Sequence, residues 1–244
     1  KRSPSLKMVE TYKRTSNPMM NRPVVKAELV EWMRSSQTQI TGELAEVLKF
    51  AKENNIPVIP HETVLYFQML LSLLKPKRIL EIGTAIGFSA LVMAQEVPNA
   101  EIVTIDRNPE MIDLAQKNLG KYDHRSQIIL KEGDAAGILR ELSGPFDVIF
   151  MDSAKSKYIE FLPIALDLLS ENGVILMDDI FQGGDVAKDI MEVRRGQRTI
   201  YRGLQRLFDA TLDNPGLTAT LVPLGDGILM LRKNVADVQL PDSE

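Results

Sequence analysis

Apolar and polar residues follow two regimes along this chain. Before Pro76 the apolar positions recur at helical spacing, in three stretches. Val25, Leu29 and Trp32 or Met33 predict a helix over 24–34, with Pro23 suited to its first turn. Leu44, Val47, Leu48 and Ala51 predict a second over 43–52, and a third runs over His61–Leu74 until Lys75-Pro76 stops it. Between the last two, Ile56-Pro-Val-Ile-Pro60 cannot be helical throughout and reads as an extended linker. From Arg78 onward strands and helices alternate, with strands near 78–82, 101–105, 126–131, 146–151 and 173–177. Asn108-Pro109 is an N-cap followed by a proline, opening a helix through Asn118, and Asp134 after Gly133 is a second N-cap. Five such units imply a parallel sheet covered by helices on both faces. A long helix within 185–210 follows, then strands over 217–223 and 228–232 joined across Leu224-Gly-Asp-Gly227, a hairpin.

These elements predict one α/β domain over 24–234, an arm over 1–23 and a tail over 235–244. Residues 1–7 read as a non-native leader ahead of Met8. The chain has 244 residues, 44% of them hydrophobic, enough for a full-sized core. No apolar run reaches spanning length and no secretory pattern is visible, so the expected location is the cytoplasm, with no membrane partner. The absence of cysteine excludes disulfides, thiolate nucleophiles and zinc–thiolate sites, and two histidines, His61 and His124, do not make a histidine metal cluster. The net charge of −4 hides basic patches: residues 1–34 carry eight Lys/Arg against three Glu, and residues 188–206 six against two acids.

The chemistry begins where the strand Ile79–Ile82 meets Gly83 and Gly87. Strand, glycine turn and helix let backbone approach a nucleotide-like ligand, but G-x-x-x-G is not the G-x-G-x-x-G of a dinucleotide site, which disfavours a nicotinamide oxidoreductase. Asp106 ends the next strand, placed to accept from ribose hydroxyls. The plainer alternative is an ordinary turn with a surface aspartate. Asp152 follows the strand 146–151, and Asp178 with Asp179 follows 173–177, so these carboxylates are expected on the same sheet edge as Gly83. Three converging carboxylates call for a hard cation such as magnesium or calcium. Lys155 beside them is a candidate general base, a neighbouring cation lowering its pKa. Taken singly, each is equally well a turn or capping residue.

Together, Glu81-Ile-Gly-Thr-Ala-Ile-Gly-Phe-Ser89, Asp106, Gly133-Asp134-Ala135, Asp152-Ser-Ala-Lys155 and Asp178-Asp179 resemble the metal-dependent O-methyltransferases of the caffeoyl-CoA and catechol type. The resemblance covers roughly Ile56 to Arg232. It implies a Rossmann-like class I methyltransferase fold: a mostly parallel seven-stranded sheet with a C-terminal antiparallel hairpin and extra N-terminal helices. It also implies S-adenosylmethionine (SAM) as donor. Glu81, Gly83 and Ser89 would line its methionine end, Asp106 its ribose, and Asp134 with Ala135 its adenine, with Asp152 bordering the cofactor. Asp152, Asp178 and Asp179 would hold Mg2+, with Ca2+ or Mn2+ as alternative ions, and Lys155 would help deprotonate the acceptor hydroxyl. The family usually has asparagine at the position of Asp179.

Arg194, Arg198, Arg202 and Arg206 recur every four residues, with Arg195 alongside. On one helix this is a like-charged stripe that calls for anions, read either as a solvated or acid-paired face or as phosphate contacts to a nucleic acid. With His61-Glu62-Thr63 and Pro223-Leu-Gly-Asp-Gly227, the pattern is similar to the bacterial branch that methylates 5-hydroxyuridine at the tRNA wobble position. The first expectation is therefore tRNA; the second is a small catechol-like or hydroxycinnamoyl acceptor. A non-catalytic SAM- and RNA-binding protein is the reading from another class. The resemblance further implies a homodimer.

Overall fold

The computed structural model describes residues 26–241. The expected arm over 1–23 and the end of the tail, 242–244, lie outside the described residues. Three helices come first: α1 (Ala27–Ser36), α2 (Gly42–Glu53) and α3 (His61–Leu74). Alternation then runs β1 (Arg78–Ile82), α4 (Phe88–Glu96), β2 (Glu101–Asp106), α5 (Pro109–Tyr122), β3 (Ile128–Glu132), α6 (Ala135–Glu141), β4 (Phe146–Met151), α7 (Tyr158–Leu168) and β5 (Leu169–Met177). Helix α8 (Arg198–Thr211) and the strands β6 (Leu217–Val222) and β7 (Ile228–Lys233) complete the order. The seven strands form one sheet in the order β3-β2-β1-β4-β5-β7-β6. It is parallel from β3 to β5, and β7 pairs antiparallel with both β5 and β6.

Each inner strand feeds two cores, one per face, because side chains alternate with period two. Val148 and Phe150 of β4 pack with α2, α3 and α4, where the Phe150 and Phe67 rings meet edge to face at 4.7 Å. Ile149 and Met151 pack the other way, against α7 and α8. This double burial leaves the polar chemistry one outlet, the carboxyl ends of the strands. Local signals set several element ends: the Asn108 side chain caps α5 by accepting from Glu110 N–H, and Asp134 caps α6 by accepting from Ala136 N–H.

Two expected boundaries shift. The long helix expected within 185–210 forms as α8, but it begins late: the chain makes 3-10 turns over Gln182–Ala187 and Arg195–Gln197, and regular α-helix starts only at Arg198. Left-handed Gly183 and Gly184 and non-helical backbone at Arg194 interrupt any earlier helix. The fifth strand starts at Leu169 and not near 173, since Phe146 pairs with Leu169 across a register shift. No described helix is long and apolar enough to cross a membrane.

Candidate active site

Four strand ends come into line because the ladder continues one residue past each strand. Gly83 N–H donates to Ile105 O, Gly133 N–H to Asp106 O, Asp152 N–H to Ile82 O and Asp178 N–H to Met151 O, all at 2.8–2.9 Å. Asp106, Gly83, Asp152 and Asp178 therefore stand along one edge. The crevice between β1 and β4, where strand order reverses, lies at its centre, the usual ligand position in an open α/β sheet. Gly83 is tightly held there. Its φ is +110°, and a Cβ would stand 1.9 Å from the Asp152 carbonyl oxygen. No other residue fits that spot.

Beside it, Asp106 braces the glycine turn. Its Oδ2 accepts from Ala85 N–H at 2.8 Å, and its Oδ1 accepts from Arg107 and Asn108 N–H at 2.8 and 2.9 Å. An ionised carboxylate has about four acceptor positions, so the same side chain can brace the turn and still face a ligand. Glu81, in mid-strand, is fully buried. Its Oε2 accepts from the Thr104 hydroxyl at 2.5 Å, and Thr104 is 2.6 Å from the Thr84 hydroxyl. Its Oε1 is buried without a partner. Burial pushes the Glu81 carboxyl up to about 8 against the pull of the Ser89 and Thr104 hydroxyls, with Asp152 and Asp106 adding to the rise.

Gly83, Asp106, Asp134, Ala135 and Asp152 border one cavity of about 760 Å³, walled in part by the apolar side chains of Met111 and Phe161. Its volume and its polar-and-apolar lining suit a nucleoside-sized ligand. Glu81 and Ser89 do not line it; both are buried. The exposed Asp134 carboxylate is engaged as a helix cap and lies 3.4 Å from Arg107.

The acidic residues beyond this cavity surround Lys155. Its ammonium stands 3.0 Å from Asp152 Oδ1 and 3.1 Å from Asp179 Oδ2. Burial pulls the Lys155 pKa down, but Asp152 and Asp179 outweigh it, and the value lies above the ordinary one. With these two carboxylates as its neighbours the lysine holds its proton; the expected lowering concerns a lysine beside a bound cation, which would draw the same carboxylates away from it. Asp178 is buried, its Oδ1 accepting from Asp179 N–H at 2.8 Å. Burial, then Asp152 and Asp179, push its carboxyl up to about 7, against the Asp179 N–H and Lys155. Three carboxylates around one ammonium leave excess negative charge, and the all-oxygen donor set fits a hard cation. Among the described residues, however, no group of three or more Asp, Glu or His has metal-holding geometry, with Lys155 between two of the carboxylates.

The five arginines do not form one stripe. Arg194 and Arg195 sit on the 3-10 turn, exposed, and Arg202 and Arg206 lie exposed on α8. Arg198 turns inward, its Nε donating to Val193 O at 3.0 Å and its Nη2 to Met191 O at 3.2 Å. Tyr201 donates to Lys188 O and Gln205 to Val186 O, so one face of α8 straps the 186–193 segment in place. Gln182, three residues past Asp179, donates to Gln197 Oε1 at 2.8 Å and ties the basic turn to the acidic centre.

Several supporting groups carry no sequence signal of their own. The Tyr158 hydroxyl, fully buried, lies within hydrogen-bond distance of Met151 O, Asp178 O and Ser153 N–H, holding the ends of β4 and β5 together. Thr104 looks like an ordinary strand residue until its Glu81 partner is seen. Asp226 of the hairpin loop accepts from Gly183 N–H.

The sheet order, the closing antiparallel pair and the strand-end crevice define a Rossmann-like methyltransferase fold. Residues 33–234 match the O-methyltransferase family model. The chain belongs to that family, and it is a SAM-dependent O-methyltransferase. This membership sets aside the non-catalytic reading. The chain is 34% identical to the O-methyltransferase ankF of Aspergillus thermomutatus over 65% of its own length and 71% of that protein's. It is 36% identical to a catechol O-methyltransferase of Niastella koreensis over 50% of this chain and 57% of the relative. The S-adenosylhomocysteine-bound methyltransferase PaMTH1 of Podospora anserina superposes with a TM-score of 0.75 at 28% identity, covering 86% of this chain and 95% of that one.

Proposed function

We propose that the acceptor is the 5-hydroxyl of 5-hydroxyuridine at the tRNA wobble position, methylated to 5-methoxyuridine, and that transfer depends on a divalent cation, Mg2+ first. The observation that carries the acceptor is the link between a basic surface and the acidic centre. Exposed Arg194 and Arg195 sit on the turn that Gln182 and Gln197 fasten to the loop behind Asp179. Guanidinium groups at the mouth suit the phosphates flanking a splayed-out anticodon base. The cation rests on charge: Asp152, Asp178 and Asp179 outnumber the single Lys155 ammonium, and these three carboxylates would hold the ion.

When bound, SAM supplies the methyl group, and the cation supplies charge that favours the ionised acceptor hydroxyl. The chain does the rest by position. Gly83 lets the donor approach the β1–β4 crevice. Glu81 offers a buried acceptor oxygen to a cationic end. Lys155, set between Asp152 and Asp179, would present its Nζ to the acceptor hydroxyl and help deprotonate it.

The test is methyl transfer from labelled SAM to tRNA bearing 5-hydroxyuridine and, separately, to catechol, with Mg2+ and with chelator. Chelator-sensitive transfer to tRNA at far lower concentration than catechol is expected, and transfer to catechol alone would overturn the acceptor. Lys155→Ala is expected to lower kcat by about 100-fold or more while SAM binding is retained. The second reading, a small catechol-like or hydroxycinnamoyl acceptor, is favoured by similarity to the Niastella koreensis protein.

A homodimer belongs to the same proposal. Trp32 on α1 and Met69 and Leu73 on α3 are large apolar side chains left 63–72% exposed. Sedimentation should give a dimer for the parent protein and a monomer when Trp32→Glu and Leu73→Glu are combined.

A further inference from the structure

The segment after the acidic pair is conformationally demanding. Asp179 and Gln182 have φ of +56° and +49°, and Gly183 and Gly184 follow at +61° and +88°. Side-chain-bearing residues hold such angles only where the surroundings over-determine them. At the start of the segment much of that hold comes from one loop, Leu224–Gly227, between the last two strands. Ile180 N–H donates to Gly227 O at 3.1 Å and Phe181 N–H to Asp226 O at 2.8 Å. Gly183 N–H donates to both Asp226 carboxylate oxygens, at 2.9 and 2.8 Å. The loop lies close against its neighbours: a Cβ on Gly227 would stand 2.4 Å from the Phe181 ring, and one on Gly225 3.2 Å from Pro60 at the start of α3.

We propose that Asp226 is a positioning residue for the acceptor side of the site. Its half-buried carboxylate clasps the left-handed turn at Gly183 and so fixes where Asp179, and with it the Lys155 ammonium, is presented. Three chain segments distant in sequence meet at this loop: the start of α3, the turn after β5 and the hairpin. The donor side lies elsewhere along the edge, braced by Asp106 on the Ala85 turn. Loss of Asp226 therefore disturbs acceptor binding and spares SAM.

The inference rests on the proposed acceptor for its kinetic arm alone. Asp226→Ala removes the clasp, whereas Asp226→Asn keeps an oxygen that accepts from Gly183 N–H. Both proteins would be measured for melting temperature, SAM affinity by calorimetry, and KM and kcat with tRNA bearing 5-hydroxyuridine and with catechol. Hydrogen exchange over residues 180–187 is read in the intact protein without acceptor. Asp226→Ala is expected to speed exchange over 180–187 and raise acceptor KM by about tenfold or more, with SAM affinity unchanged. Asp226→Asn is expected to restore both to within about threefold of the parent. Unchanged exchange in Asp226→Ala would overturn the proposal, as would an equal loss of SAM affinity or an Asp226→Asn protein that behaves like the alanine variant. Should the parent methylate neither acceptor, the functional reading fails, and the exchange measurement still decides the clasp.

Discussion

The donor half of this site and the half proposed to take the acceptor are built by different means. The donor half is made of strand ends: Asp106 closes β2, and Gly83, Gly133 and Asp152 sit where they do because the parallel ladder runs one residue past β1, β3 and β4. The acceptor half is an excursion, residues 179–197, with little regular structure of its own. Side chains reaching carbonyls hold it, from Arg198, Tyr201 and Gln205 on α8, and the Asp226 loop clasps its start. Backbone ladders place a residue to within a fraction of an ångström, whereas strapped segments can be retuned one side chain at a time.

The largest effect should come from the stiffest point of the donor half. Gly83→Ala puts a methyl into the Asp152 carbonyl and a side chain at φ +110°. The strand ends of β1 and β4 would have to separate, costing upward of about 3 kcal/mol and abolishing SAM binding. Denaturant unfolding and calorimetry read both. Near-normal SAM affinity in a stable Gly83→Ala protein would mean that the close approach is dispensable.

Next is a pH effect on the same half. The Glu81 carboxyl titrates near 8 in the folded chain against 4.5 for the free side chain. Between these limits the unfolded chain has lost its proton and the folded one keeps it, so stability falls as pH rises from about 4.5 to about 8. The span corresponds to about 5 kcal/mol in ligand-free protein. Asp178, raised to about 7, acts with the same sign from 3.8 upward. Glu81→Gln should flatten much of the fall, seen as a weaker drop of Tm between pH 5 and pH 8. An unchanged slope would assign the pH dependence to Asp178 or elsewhere.

The two halves also differed in how far the sequence revealed them. The donor half follows from short-range rules: Lys75-Pro76 closes α3 at Leu74, Asn108 and Asp134 cap their helices, and an acidic residue ends β2. Helical spacing alone suggested a single helix through the arginines. Spacing cannot show that Arg198 spends its guanidinium on the carbonyls of Met191 and Val193, nor that left-handed Gly183 and Gly184 interrupt the chain. The meeting of Lys155 with Asp152 and Asp179 was legible, because strand-end residues of adjacent parallel strands fall on one edge.

The smallest effects should separate the arginines that hold the acceptor half from those that face outward. Arg198→Ala removes two charged hydrogen bonds to carbonyls and should cost about 1–2 kcal/mol, seen as a modestly lower Tm. Arg202→Ala and Arg206→Ala leave no described partner behind and should keep Tm unchanged. If these two meet phosphates, each loss weakens tRNA binding and reduces the slope of log K against log salt by about 1, whatever the tRNA sequence. Filter binding across a salt series gives that slope directly. An unaltered slope in the double variant would make the α8 arginines plain solvated surface. The basic contribution would then fall to Arg194 and Arg195, the pair fastened to the acidic centre through Gln182.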